Sequence, residues 1–310
     1  MTGKTADPVS ALIFEVSSKV ETARAKINLA LHITGRRVDG YHLLDSLVVF
    51  AEVADTIRAA PLEEGFVDLV VDGQFGGDLE HGTPTDRNLA YLAADALIHA
   101  SPGRRMNGVR LLLTKRLPIA SGLGGGSADA AATLRLLNRF WGLGLPAAQL
   151  AELGVGLGAD VPCCLVSRPL RAEGIGERIT PLPGIPSLPI VILNPGVALE
   201  TRSVFRRLPD AERKPMGAIP KGFKSIMEFV LWLRRTRNDL YEPANALEPA
   251  VGKAVRALAA DPECLFARMS GSGATVFGIF LSAEAADRAA TRIHASRPDW
   301  WLAVTRTAGS

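Results

Sequence analysis

The chain has 310 residues, enough for one large domain or two moderate ones, and 47% of them are hydrophobic with only 6% aromatic, a balance that fits a packed α/β protein and argues against disorder. Its 35 basic and 32 acidic side chains nearly cancel to +3, so the charge demands no nucleic acid. Cys163, Cys164 and Cys264, odd in number and two of them adjacent, offer neither a disulfide framework nor a zinc spacing and suit a reducing cytoplasm.

The first residues carry Asp7 and Pro8 ahead of an apolar run too brief for a signal-peptide core, and no later apolar stretch is long enough to span a bilayer. A soluble protein with no membrane partner is expected. In AKINLALHI, alternation sets Ile27, Leu29, Leu31 and Ile33 on one face of a strand and Lys26, Asn28, Ala30 and His32 on the other. After the turn GRRVDG, the runs LLDSLVVFAEVADTIRA and FVDLVVDG read as further strands. RNLAYLAADALIHA has helical spacing, and GVRLLLTKRL returns to a strand.

That strand leads into Pro118-Ile119-Ala120-Ser121-Gly122-Leu123-Gly124-Gly125-Gly126-Ser127-Ala128, followed by the strong helix pattern of SADAAATLRLLNRFW. Glycines let backbone N–H groups converge on an anion, and a helix start adds unpaired donors and partial positive charge, so phosphate is the natural guest. The loop is neither a Walker A motif nor a dinucleotide fingerprint. A tight turn would account for one or two glycines, not for Gly122, Gly124, Gly125 and Gly126 together. Downstream, Gly154-Val-Gly-Leu-Gly-Ala159 satisfies G-x-G-x-x-A on paper but follows the helix-like PAAQLAEL rather than a strand, which argues against a dinucleotide site.

Asp160 precedes Val161 and Pro162, the expected way to begin a helix, and as residues alone it reads more readily as an N-cap than as a catalytic acid or base. Lys26 reads equally as a solvated strand-edge lysine, and Asn28 as a partner for a nearby backbone group. Four prolines between Pro181 and Pro189 mark a linker, dividing the chain into residues 1–183 and 184–310. The second part alternates a strand at PIVILN, helices near 200–207, 224–236 and 243–260, strands at LFARMS and ATVFGIFL, a helix from Ala283 and a strand at WWLAVTR. Between LFARMS and ATVFGIFL, Met269-Ser-Gly271-Ser272-Gly273-Ala-Thr275 is either a glycine-rich hairpin or a second backbone nest. The arginines and lysines from Arg202 to Lys224 form a basic stretch, more often a solvated face than an RNA site.

Taken together, AKINLALHITGRRVDGYHLLDS, LPIASGLGGGSADAA with GADVP, and MSGSGATVFGIF resemble the three motifs of the GHMP kinase superfamily in order and spacing. The resemblance extends over essentially the whole chain. It implies an α+β, two-domain fold, with an N-terminal ATP-binding domain like domain 2 of ribosomal protein S5, a ferredoxin-like C-terminal domain and an active site in the interdomain cleft. Lys26 and Asp160 match the superfamily's catalytic pair, and the 118–128 loop matches its ATP-phosphate loop, served by Mg²⁺. Lys26-Ile-Asn-Leu with Gly40-Tyr41-His42 narrows the resemblance to members acting on a small alcohol that carries a cytidine diphosphate group, in the non-mevalonate isoprenoid pathway. Tyr41 and His42 would then recognise the cytosine, Phe205 in Thr201-x-x-V-Phe205 would stack on it, and Asn28, Thr201, Gly271, Ser272 and Gly273 would complete the substrate side. A cytoplasmic monomer or homodimer that binds no nucleic acid is expected. Ala128 stands where many relatives have a second serine, leaving Ser127 as the one hydroxyl there for the metal. A homoserine or mevalonate kinase, a nucleotide-binding regulator without turnover and an RNA-binding protein are the alternatives. PDAERKPMGAIPKGFKS suggests no function.

Overall fold

The alternation around Lys26 extends in both directions, and β1 runs Lys19–Arg36 in a computed structural model that describes residues 19–62, 67–77, 79, 85–104, 106–209 and 213–309. The N-terminal apolar run, Phe66 and residues 210–212 of the basic stretch lie outside the described residues. Both faces of β1 are covered. Ile27, Leu29, Leu31 and Ile33 are buried, and so are Lys26, Asn28, Ala30 and His32. Most of a polar face buried to this extent is satisfied internally, because each unpaired buried polar group costs about 1–3 kcal/mol.

By packing, the chain divides into two units made of interleaved segments: Met1–Ala23, Ala54–Ile119 and Gly126–Leu165 in the first, and Arg24–Val53, Ala120–Gly125 and Val166–Ser310 in the second. The proline-rich stretch from Pro181 to Pro189 falls inside the second.

In the first unit, the later half of β2 (His42–Leu62) pairs antiparallel with β4 (Gly108–Thr114), Thr56 opposite Thr114. β3 (Val67–Asp72) runs parallel to β4. Parallel neighbours need a crossover, and α1 (Leu89–His99) supplies it, its start capped by the Asn88 side chain accepting from the Ala90 amide at 2.9 Å. Ala90, Ala93, Ala94 and Leu97 bury its inner face at i, i+3, i+4 and i+7. Small residues make α2 (Gly125–Phe140) buried nearly all round in its first half, from Ala128 to Leu134. α3 (Ala147–Leu157) and the short α4 (Val161–Val166) follow. The decoy glycines lie in α3 and its exit, where a Cβ on Gly154 would stand 3.0 Å from Val161 Cγ1, so that glycine is there for close packing.

In the second unit, the earlier half of β2 pairs with β5 (Leu170–Gly174), which pairs with β6 (Arg178–Pro181). β5 alternates Leu170, Ala172 and Gly174 with Arg171 and Glu173, but over only five residues, and β6 has only four. Pro181 is tolerated because β6 is at the sheet's edge, where no partner needs its missing N–H. A separate antiparallel sheet has the order β10-β7-β9-β8, from β7 (Pro189–Asn194), β8 (Phe266–Met269), β9 (Val276–Ile279) and β10 (Trp301–Arg306). This is the ferredoxin-like order expected for the C-terminal part. α5 (Thr201–Arg206) and α6 (Ile226–Leu233) precede a break in the helix expected over 243–260. Pro249, which cannot continue a helix from Leu247, separates α7 (Tyr241–Leu247) from α8 (Ala250–Ala259). α8 and α9 (Ala283–Ser296) pack on the sheet over a core that includes Val191, Leu193, Val276, Leu258 and Ile293. Among the described residues, no helix is long and apolar enough to cross a membrane.

Candidate active site

The glycine loop alternates in backbone handedness. Ala120, Gly122 and Gly124 have φ of 49°, 78° and 64°, while Ser121 and Leu123 between them do not enter the positive region. Alternation of this kind is the backbone pattern an anion nest requires, and αL is costly for a residue with a Cβ such as Ala120.

The loop's hydrogen bonds complete this picture. The carbonyls of Ser121 and Leu123 accept from the amides of Thr275 (3.1 Å) and Lys26 (2.8 Å), and Ser270 Oγ reaches the Gly122 carbonyl at 3.4 Å. Among the described residues, the amides of Gly122, Leu123 and Gly124 have no acceptor. Those of Gly125 and Gly126 open α2, where the first-turn donors lack intrahelical partners. The carbonyls of Ser121, Gly122 and Leu123 are thus tied to the protein, while the amides of Gly122, Leu123 and Gly124 are not, among the described residues.

The second glycine cluster is both a hairpin and a support for this loop. β8 and β9 pair up to Met269 and Val276, and the turn between them closes with Ser270 N–H donating to the Thr275 carbonyl. Ser270 Oγ also accepts from the Asn28 amide at 3.1 Å, and the Asn238 carboxamide donates to the carbonyls of Met269 and Gly271. A Cβ on Gly122 would stand 2.5 Å from the Gly273 carbonyl oxygen, and one on Gly124 would stand 3.3 Å from Lys26 Cβ and Cε. Lys26, 6% exposed, therefore has its stem laid along the loop. Asn28 donates to Ser46 Oγ at 2.8 Å, while its carbonyl oxygen is buried without a partner and faces Gly271, whose Cβ would stand 3.3 Å away.

The structure brings His42 to Phe205, ring centroids 5.2 Å apart and tilted by 38°, whereas Tyr41 stands 61% exposed beside this pair. Thr201, at the start of α5, meets Ser272 hydroxyl to hydroxyl at 2.9 Å, joining the T-x-x-V-F motif to the glycine hairpin.

Asp160 holds the place of a helix N-cap in the first unit: its carbonyl accepts from the Cys164 amide at 3.1 Å, the first bond of α4. The far end of α4 is pinned by Arg135, whose guanidinium donates to the carbonyls of Cys164 (2.8 Å) and Leu165 (3.3 Å), where a cation also suits the helix dipole. Ser127 is half-buried in the first turn of α2, and Ala128 beside it is fully packed. A Cβ on Gly158 would stand 3.8 Å from Ser127 Oγ, so the chain just before Asp160 passes close to that hydroxyl.

Two groupings carried no motif. Asp55, Lys115 and Asp129 form a buried charge cluster at the ends of the glycine loop. Burial works to lower the Lys115 pKa, but the carboxylates of Asp129 and Asp55 outweigh it and raise it. Burial pushes Asp129 up, against the pull of Lys115. An acid inside the apolar run FAEVADTIRA was the available signal for Asp55. The second grouping holds the stretch that suggested no function. The Lys214 carbonyl faces His32 Nδ1 (3.3 Å) and accepts from Arg237 (2.7 Å), and the Met216 amide donates to Asp45 (2.6 Å), which also holds Arg171.

His32 Nε2 accepts from the Arg237 amide at 3.0 Å, so Nδ1 carries the proton and the ring must be neutral. Burial, then the Arg237 charge, depress its pKa below 6.5. The unfolded chain therefore takes up a proton that the folded one refuses, and the stability this group contributes is complete above pH 6.5 and declines as pH falls below it. His32→Gln is expected to flatten the fall in Tm between pH 7 and pH 5; a slope equal to that of the unsubstituted protein would count against this assignment.

Comparison with known proteins identifies the family. Residues 88–168 match the model of the GHMP kinases N terminal domain and residues 223–298 that of the GHMP kinases C terminal domain. The chain is 49% identical over 290 residues to a 4-diphosphocytidyl-2-C-methyl-D-erythritol kinase of Sinorhizobium medicae, covering 93% of this chain and 94% of that one. It is 48% identical over 288 residues to the protein of the same name from Ruegeria pomeroyi, covering 92% and 97%. A crystal structure of 4-(cytidine 5'-diphospho)-2C-methyl-D-erythritol kinase superposes with a TM-score of 0.73 at 33% identity, over 94% of this chain and all of that one. A homoserine kinase from Cytophaga hutchinsonii, at 15% identity and a TM-score of 0.65 over 100% of this chain and 97% of that one, shares the fold alone. The chain belongs to the GHMP kinase superfamily, in the family of the 4-diphosphocytidyl-2-C-methyl-D-erythritol kinases.

Proposed function

We propose that the chain transfers the γ-phosphoryl group of ATP to a hydroxyl of 4-diphosphocytidyl-2-C-methyl-D-erythritol, in the non-mevalonate route to isoprenoid precursors. The observation that carries this reading is the glycine loop, whose carbonyls are tied down while the amides of Gly122, Leu123 and Gly124 lack an acceptor. Phosphoryl transfer asks for positioning and charge neutralisation more than for covalent chemistry. The loop and the start of α2 hold the phosphates. Asp160 accepts the proton of the attacking hydroxyl, and Lys26 stabilises the charge that develops as it attacks. Asn28, Thr201, Gly271, Ser272 and Gly273 bound the acceptor, while Tyr41, His42 and Phe205 take its cytosine.

Among the described residues, no group of three or more His, Cys, Asp or Glu side chains is arranged to hold a metal. That suits Mg²⁺, which keeps several waters and arrives with substrate phosphates; Ser127 is the residue that would ligate it. Bound there, the ion supplies neutralisation of phosphate charge. On this reading residues 1–183 are the ATP-binding domain and 184–310 the C-terminal domain of a cytoplasmic monomer or homodimer that uses no nucleic acid.

Tyr41→Ala is expected to raise the KM for the cytidine substrate roughly 5- to 150-fold, the equivalent of about 1–3 kcal/mol of base stacking, with the KM for ATP unchanged. An unchanged acceptor KM removes Tyr41 from cytosine recognition. The function itself is tested by ADP release with the cytidine diphosphate alcohol, homoserine and mevalonate offered separately; turnover confined to homoserine or mevalonate refutes it.

A further inference from the structure

The phosphate loop leaves the chain just after Lys115 and re-enters it at α2, and both ends are fastened to one buried group of charges. Lys115 Nζ donates to Asp129 Oδ2 at 2.7 Å and to Asp55 Oδ2 through a short bond, all three side chains being at most 4% exposed. Asp55 Oδ1 accepts the backbone amides of Arg116 (2.5 Å) and Leu117 (2.9 Å), the first residues of the loop's approach. Asp129, on the other side, belongs to the early turns of α2, and its Oδ1 is buried without a partner. Lys115 is held by its backbone as well. Its amide donates to the Asp72 carbonyl (2.8 Å), and its carbonyl accepts from Phe75 and lies so close to Gly73 that a Cβ there would stand 2.4 Å away.

Two carboxylates share one ammonium out of water, an arrangement that apolar side chains of similar volume would often match or better in stability. What apolar residues would not provide is a directional link from the strand end to the helix start. A loop whose ends are fixed loses less conformational entropy when it closes on a ligand.

We propose that Asp129 is a positioning residue for the nucleotide: through Lys115 and Asp55 it holds the two ends of the 118–128 loop in the spacing that lets the loop's amides meet a triphosphate. The proposal rests on the reading that this loop binds ATP, and its test separates the two. Asp129→Ala leaves the neutral Lys115–Asp55 pair intact but cuts the link to α2; Asp129→Asn keeps an acceptor for Lys115. Calorimetric titration with a non-hydrolysable ATP analogue is expected to show affinity about tenfold weaker or more for Asp129→Ala, and within about threefold of the unsubstituted protein for Asp129→Asn. In steady-state assays the KM for ATP rises in Asp129→Ala while the KM for the acceptor does not. Asp129→Ser, whose hydroxyl can be hydrated in the vacated space, carries the same expectation should the alanine variant not accumulate. Gly122→Ala, which drives a Cβ into the Gly273 carbonyl, serves as the control for the loop. Unimpaired analogue binding in Asp129→Ala or Asp129→Ser, with binding lost in Gly122→Ala, overturns the tether and leaves the loop reading standing. An Asp129→Asn variant as weak as Asp129→Ala also overturns it. Unimpaired binding in Gly122→Ala overturns the loop reading itself.

Discussion

Asp160→Asn is expected to lose on the order of 10²- to 10⁴-fold in turnover, the usual worth of a general base, with the affinity for nucleotide unchanged. The substitution is close to isosteric, and the N-cap preference of asparagine equals that of aspartate. The bond that starts α4 comes from the Asp160 backbone carbonyl, and Arg135 pins the other end of that helix. The fold should therefore keep its Tm, and the loss should appear in kcat. A variant that turns over normally would leave Asp160 with its capping role only. A variant that loses stability and activity together would point the same way.

Lys26→Met should lower kcat by about 10²- to 10³-fold, the typical cost of removing one electrostatic contact to a developing transition-state charge. Methionine keeps a long apolar stem, and it is the Lys26 stem that lies against Gly124. The backbone bond from Lys26 to the Leu123 carbonyl does not depend on the side chain. The glycine loop should thus keep its shape, and the effect should fall on turnover at saturating ATP. If instead the KM for ATP rises while kcat holds, Lys26 binds the nucleotide in the ground state and does not act on the transferring group.

Much of this arrangement could be read in the residues, and the reasons differ from element to element. The glycine loop announces itself because the backbone conformations at Gly122 and Gly124 are ones that few other residues adopt. α1 was legible from its apolar spacing, whereas the caps, Asn88 on α1 and Ser282 on α9, each accepting from an amide of the first turn, emerged only in the structure. β5 and β6 were not legible, since the alternation of Leu170, Ala172 and Gly174 with Arg171 and Glu173 spans only five residues, and β6 only four. The support that the hairpin at Ser270–Thr275 gives to the loop at Ser121–Leu123 was invisible, because it depends on a serine hydroxyl and backbone groups about 150 residues apart, as with Ser270 and Gly122. The Asp55–Lys115–Asp129 cluster was hidden for a related reason. Each of its members is an ordinary charged residue until the fold removes all three from water. The polar face of β1 was legible from the alternation of Lys26, Asn28 and His32, but its burial, and with it the neutral His32 beneath the Lys214 carbonyl, depended on what the rest of the chain laid over it.

The most direct test of the account is a crystal of the protein with a non-hydrolysable ATP analogue and the cytidine diphosphate alcohol both bound. Phosphate oxygens are expected within hydrogen-bonding distance of the amides of Gly122, Leu123 and Gly124, with the acceptor hydroxyl in reach of the Asp160 carboxylate. A nucleotide bound away from these amides, with the 118–128 loop free of phosphate, would contradict it.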